Sequence, residues 1–412
     1  MSANRKPLDG VRVVELANFI AAATSGRFLA DLGADVIKIE SAGGDPLRYT
    51  APTEGRPLDM YENTTWELEN ANKRCISLNM KTPEGKEAFY KLLETADVLI
   101  TNWRVQALER AGLDYESLKE RFPKLVYANI TGYGEFGPDK DLPGFDFTAF
   151  FARGGYLDSL RQKGTVPMNV CPGLGDHNVG MNLAAGILAA LYHAEKTGLG
   201  EKVETSLFET AVHNMGMMVQ AAQYPEIGAK YPINIREASN PFNAAWRTRD
   251  DRFIQTCMPD YNTYYKRFIT AVGREDLVDN EEYFPVQNLQ AGGHGPDVYD
   301  IVMEAFNQKD VAEWKEILIA ADIPFSVAQT WEEMLVDEQA WANDCFYKME
   351  YPNAERTLVK LPVKFKEMGP AEYNKGPLIG EHSEEVLAEL GYDEAVIKEF
   401  RENGTIYVWE EK

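Results

Sequence analysis

The sequence predicts an α/β protein: a large domain on a Rossmann-like parallel sheet, together with a smaller α+β domain. Three observations carry that reading. Strand-like and helix-like hydrophobic periods alternate from Val11 onward. The connections between successive strands are long enough to hold crossover helices, as parallel pairing requires. At 412 residues, the chain is longer than one ordinary domain.

In order, Val11–Leu16 reads as a strand, Ala22–Leu32 as a helix stopped by Gly33, and Ala34–Glu40 as a second strand. The pattern recurs with helix Pro83–Thr95 before strand Asp97–Thr101, and helix Tyr115–Arg121 before strand Leu125–Ile130. From Thr131 to Asp176, glycines, prolines and aromatics dominate without a period, and so long an irregular stretch points to function. Val179–Lys196 is apolar on nearly every side, which implies burial inside the molecule or against a partner chain. Lys202–Thr205 and Ser206–Ala222 continue as strand and helix. Composition turns to Pro, Asn and Tyr between Tyr224 and Pro241, so the large domain is expected over 1–224, the small one over 225–325, and a return to the large one over 326–412. Within the small domain, Arg252–Thr256 reads as strand and Tyr265–Val272 and Val298–Ile319 as helices. Pro324–Gln329 resumes β character, and the tail holds two short amphipathic helices, Glu384–Leu390 and Glu394–Arg401.

Composition removes several classes. Apolar residues make up 44% and the net charge is −23, so the protein is a packed one that repels a phosphate backbone; no nucleic-acid partner is expected. The four cysteines lie far apart with no CxxC pair, which excludes a readable zinc knuckle or disulfide framework and suits a reducing cytoplasm. The amino terminus lacks an apolar signal core, and the run Leu183–Tyr192 is only about half a membrane span, so a soluble, cytoplasmic protein is expected.

The familiar cofactor motifs fail. No glycine follows the first strand, where Ala17-Asn18-Phe19-Ile20-Ala21 stands, so a dinucleotide fingerprint is missing. Gly85-Lys86 lacks the rest of a P-loop, no HExxH or GxSxG occurs, and the five histidines are not at metal-ligand spacing. No metal and no tightly bound cofactor are expected. What remains is Pro172-Gly173-Leu174-Gly175-Asp176-His177, just before the long apolar helix. Asp176 reads there as an N-cap, or as a carboxylate kept ionised by the helix N-terminus and poised as a nucleophile, with two glycines admitting a substrate to the backbone.

Several blocks resemble the class III CoA-transferases from about Pro7 to the tail. They are Leu8-Asp9-Gly10-Val11-Arg12-Val13-Val14-Glu15-Leu16, Leu32-Gly33-Ala34-Asp35, Asn72-Lys73-Arg74, Gly173-Leu174-Gly175-Asp176, Thr197-Gly198-Leu199-Gly200 and Leu378-Ile379-Gly380-Glu381-His382. The resemblance implies that Asp176 is the catalytic carboxylate, passing through a mixed anhydride and an aspartyl-CoA thioester without ATP. It implies coenzyme A as a substrate in a groove touched by Asn18, Phe19, Ala21, Lys73, Arg74, Asn102, Arg104, Arg110 and Tyr133. It also implies an interlocked-ring homodimer.

The wording of the Ala17–Ala22, Glu69–Arg74 and Gly132–Asp146 segments looks most like the branch that loads CoA onto (R)-2-hydroxy acids such as phenyllactate or 2-hydroxyisocaproate. In that branch the donor is an enoyl-CoA, the setting is anaerobic amino-acid fermentation, and the product feeds a 2-hydroxyacyl-CoA dehydratase, a candidate partner. A lysine of the oxalate-using branch is replaced here by Thr131. The racemase branch of the same fold needs a histidine where Phe145 stands, and Phe145 moves no proton. A non-catalytic CoA-binding subunit of a dehydratase complex is the remaining alternative, against which the flanked Asp176 argues. The aromatics Tyr133, Phe136, Phe145, Phe147, Phe150 and Phe151 are read either as an acid pocket or as core.

Overall fold

Strand β1 (Arg12–Leu16) is buried beyond its first residue, as a strand sandwiched by helices must be. It pairs in parallel with β2 (Asp35–Glu40), and β2 with β3 (Arg74–Leu78). On its other side, β1 pairs with β4 (Val98–Thr101), followed by β5 (Val126–Thr131) and β6 (Lys202–Ser206), all parallel. A short antiparallel strand, Ile406–Tyr407, closes the β3 edge. The order β3-β2-β1-β4-β5-β6 reverses direction between β1 and β4. In open parallel sheets, ligands bind at that switch point, outside the carboxyl ends of the strands.

The computed structural model describes residues 6–224, 226, 231–368 and 372–410. Helix α1 (Ala21–Asp31) follows β1 and is buried along nearly its whole length. Helix α2 (Thr64–Asn70) is N-capped by Asn63, whose side chain accepts from the Trp66 N–H. Helix α3 (Pro83–Glu94) has Thr82 as its cap and Pro83 in its first turn. Helix α4 (Val105–Ala111) follows β4. The long helix α5 (Leu174–Thr197) lies against α1, close enough for the Ser25 hydroxyl to donate to the Gly180 carbonyl at 2.8 Å. Between sheet and helices sits an aliphatic core including Val14, Ile37, Leu99, Phe89 and Leu92.

The chain divides into two compact units. The larger holds the seven-stranded sheet. The second takes residues 157–168 and, beyond 224, the segment ending at Glu338. It is α+β: an antiparallel sheet of Ala245–Arg247, Phe253–Thr256 and Phe325–Val327, with helices Tyr261–Ala271, Gly295–Phe306 and Val311–Ala320. An aromatic core fills it, with Phe306 and Trp314 stacked at 4.2 Å. Three sequence expectations shift. The return to the larger unit comes at Gln339 instead of 326. The single helix expected over Val298–Ile319 is two, broken at Asn307–Asp310, where Asp310 starts the second with a capping box. Ser206–Ala222 is likewise two helices, parted at Met215. The boundary residue Pro225 lies outside the described residues.

The long apolar helix starts earlier than its reading, and its exposed face leaves burial against a partner chain open. It begins at Leu174, five residues earlier than expected, and only one face is buried, through Val179, Leu183, Ile187 and Ala190. Leu174 and Tyr192 are exposed at 51% and 68%.

Candidate active site

The switch point is where the sequence-nominated residues meet. Leu16 and Thr101 lie in register at the ends of β1 and β4. Just beyond them, the Asn18 N–H donates to Asn102 Oδ1 at 3.1 Å and the Asn102 side-chain amide returns a bond to the Asn18 carbonyl at 2.7 Å, locking the two loops together. Phe19 adopts φ 60°, unusual for a side chain of that size. Its N–H is held by Asp45 Oδ1 at 3.0 Å, and Asp45 is itself fully buried against Lys38 Nζ at 3.0 Å. Lys38 also donates to Glu15 Oε1 and to the Ala17 carbonyl, both at 2.9 Å. A buried ion network thus fixes the turn from β1 into α1, the kind of surrounding structure that can sustain a strained residue.

A cleft of about 760 Å³ opens there, lined by Asn18, Phe19, Ile20, Ala21, Asn102, Trp103, Arg104, Gln106, Arg110, Thr131, Lys140, Phe145 and Asp176. Six of the nine coenzyme-contact candidates therefore share one cleft with Asp176. Arg104 and Arg110 are exposed and enter no ion pair among the described residues, so both are open to a phosphate. Phe145 packs edge-to-face on Phe19, ring centroids 6.3 Å apart, giving the cleft an apolar wall.

The structure corrects two cation expectations. Lys73 is sealed inside: its ammonium donates to Glu15 Oε2 at 2.7 Å, the Ala23 carbonyl at 2.9 Å and Asn70 Oδ1 at 3.2 Å, and none of its side chain is exposed. Arg74 begins β3, at the amino end of the sheet and opposite the cleft. It is spent there on Asp35 at 2.7 Å, Glu389 at 2.6 Å and Glu385 at 2.9 Å. Tyr133 is not a lining residue; its ring backs the loop beneath the Arg153 guanidinium, 5.2 Å away. The aromatic group divides as well. Phe150 and Phe151 are core, whereas Phe136, Phe145 and Phe147 are exposed.

Asp176 is not a cap. Gly173, at φ 86°, is the N-cap residue, in a left-handed conformation that favours glycine, and Asp176 falls in the first turn. The capping work passes to Asp146, nearly buried at the head of a π-helical turn, Asp146–Ala152. Its Oδ2 accepts the Gly173 N–H at 2.7 Å and its Oδ1 the Gly175 N–H at 3.0 Å. Gly175 leaves no room for a side chain, since a Cβ would fall 2.3 Å from Asp146 Oδ1 and 2.4 Å from Phe150. Burial pushes the Asp176 carboxyl up to about 7, with the charges of Asp146 and Glu69 adding to the rise and His177 opposing it. Burial thus works against the full ionisation expected from the helix N-terminus, and the charge of His177 works for it.

Sequence reading missed Lys140, Gln106 and Trp103 as lining groups. Lys140 lies in the Gly/Pro-rich stretch between Gly137 and Gly144, which was the available signal.

A Rossmann-like sheet that presents Asp176 at its switch point, in a cleft with unpaired guanidinium groups, suits acyl transfer on an anionic carrier. A family model described as CoA-transferase family III matches residues 8–383, and the chain belongs to that family. It is 57% identical over the whole of both chains to the cinnamoyl-CoA:phenyllactate CoA-transferase of Clostridium sporogenes. It is 43% identical to the (R)-2-hydroxy-4-methylpentanoate CoA-transferase of Clostridioides difficile, covering 97% of this chain and 99% of that one. A solved CAIB/BAIF family protein from Brucella suis superposes with a TM-score of 0.79 at 26% identity, over 94% of this chain and 100% of the other.

Proposed function

We propose that the protein transfers CoA from an acyl- or enoyl-CoA donor to a 2-hydroxy carboxylic acid of the phenyllactate or 2-hydroxyisocaproate type, with Asp176 as the covalent relay. One observation carries the reading: Asp176 opens into the same cleft as Asn18, Phe19, Asn102, Arg104 and Arg110. Full-length similarity to two transferases named for such acids supports the substrate class.

In this reading an Asp176 oxygen attacks the thioester carbonyl, the C–S bond breaks, and a mixed anhydride and CoA thiolate result. The thiolate then attacks the aspartyl carbonyl, releasing the first acid and leaving aspartyl-CoA thioester. The acceptor carboxylate repeats the two steps in reverse and departs as the new thioester, restoring Asp176. One thioester replaces another, so no ATP is consumed. Arg104, Arg110 and Lys140 balance the CoA phosphates despite the overall charge of −23. We read the chain further as a cytoplasmic homodimer, supported by the half-exposed apolar helix α5, whose product passes to a dehydratase in fermentation.

Turnover of phenyllactate, indolelactate, 4-hydroxyphenyllactate and 2-hydroxyisocaproate with one donor CoA tests the proposal. Transfer to at least one of them, without exchange of the α proton into solvent, is expected. Proton exchange without transfer would establish a racemase instead.

A further inference from the structure

His177 is the neighbour of Asp176 that the transfer chemistry leaves unused. Glu69, on α2, is almost fully buried, and its Oε2 accepts the Thr24 hydroxyl at 2.8 Å. That anchorage aims Oε1 at His177 Nε2, 2.7 Å away. The other edge of the imidazole lies over Gly173: a Cβ there would stand 3.6 Å from Cε1 and 3.8 Å from Nδ1. The ring is thus pinned beside the turn that delivers Asp176.

Charge makes the arrangement informative. The ionisable groups facing Asp176 are Asp146 from the π-helical turn, Glu69 from α2 and His177 from its own helix. Lys73 lies beyond Glu69, and its three hydrogen bonds go to Glu15, Ala23 and Asn70. With a neutral imidazole, three carboxylates would crowd together without a cation of their own. Asp146 is anchored as an acceptor by two backbone N–H groups and Glu69 by Thr24. Asp176 has no hydrogen-bond donor to its carboxylate among the described residues, so the extra proton would settle on the nucleophile.

We propose that Glu69 and His177 are a positioning pair: Glu69 orients His177 and keeps it as imidazolium, and that cation holds Asp176 ionised for attack. The proposal rests on the reading of Asp176 as the nucleophile. Burial alone would lower the affinity of His177 for its proton, but Glu69, Asp176 and Asp146 together raise its pKa above the ordinary value.

The test compares pH profiles of kcat/KM for His177→Gln, which keeps a polar contact to Glu69 without charge, and His177→Lys, which keeps the charge, with Asp176→Ala as the reference. The acid limb, which reports ionised Asp176, should move up by about one pH unit in H177Q and lie near that of the wild type in H177K. Equal limbs in H177Q and wild type, or equal shifts in both variants, would overturn the pairing while an inactive D176A left the nucleophile standing. An active D176A would remove the nucleophile and the pairing with it. Imidazole NMR of the unmodified protein, with five histidines to assign, gives a readout independent of the variants' folding. His177 should titrate above the ordinary value of about 6.5, and titration at or below it would overturn the pairing.

Discussion

Asp146 Oδ1 accepts the backbone N–H of Gly175 at 3.0 Å, one residue before Asp176 and 29 positions away in the chain. This bond ties the π-helical turn to the start of α5, next to Asp176. Its partner bond to Gly173 completes a two-pronged grip on the turn.

Replacing Asp146 with Ala leaves two amide donors without their acceptor, and thermal unfolding should show a loss of about 1–3 kcal/mol. Asp146→Asn keeps the size and removes the charge, but it leaves one acceptor oxygen for the two N–H groups, so part of the same stability loss is expected with it. Since the Asp146 charge raises the Asp176 pKa, its removal lowers it. The acid limb of kcat/KM should move to lower pH, opposite in sign to the His177→Gln shift.

Gly175→Ala pushes a methyl group into Asp146 Oδ1 and Phe150, so the turn must open. A displacement near 1 Å at a reacting group lowers turnover by about a hundredfold. Steady-state kinetics should place that loss in kcat, with circular dichroism reporting an intact fold.

Arg104→Ala and Arg110→Ala should each raise KM for the acyl-CoA about tenfold, as removal of a charge-assisted phosphate contact does. Arg74→Ala should leave that KM unchanged. Its contacts to Asp35, Glu385 and Glu389 are partly solvent-exposed, so screening limits the stability loss to about 1 kcal/mol in a melting experiment.

The alternation of strand and helix was readable from the first 130 residues, because β1, α1, β2, α3, β4 and β5 each carry a clear period and an ending. β3 escaped notice: Arg74–Leu78 is five residues long, opens with a charge and contains Ser77 among three apolar residues. The long helix was recognised but its start was not. Gly173 and Asp146 supply that start from 27 positions apart, a pairing only the fold reveals. The same limit explains Lys73. A lysine in Asn72-Lys73-Arg74 looks solvated in sequence, and Glu15, which captures it, is 58 residues away and reaches it through the packing of the sheet. Asn18, Phe19 and Asn102 share one cleft because they follow strand ends at the switch point, a placement that the sequence pattern makes readable.

In the proposed homodimer, the exposed apolar residues Leu174, Tyr192, Met217 and Val219 would be covered by the partner. Sedimentation at micromolar concentration should give twice the monomer mass of 46.4 kDa, and Met217→Glu should shift the species toward monomer.

The covalent role of Asp176 is tested most directly by mass spectrometry after incubation with donor acyl-CoA and hydroxylamine. Trapping should convert the Asp176 side chain to a hydroxamate, with the mass change confined to the peptide that contains it and turnover lost in proportion. An unmodified Asp176 peptide from an enzyme still turning over, or full activity in Asp176→Ala, would contradict the account.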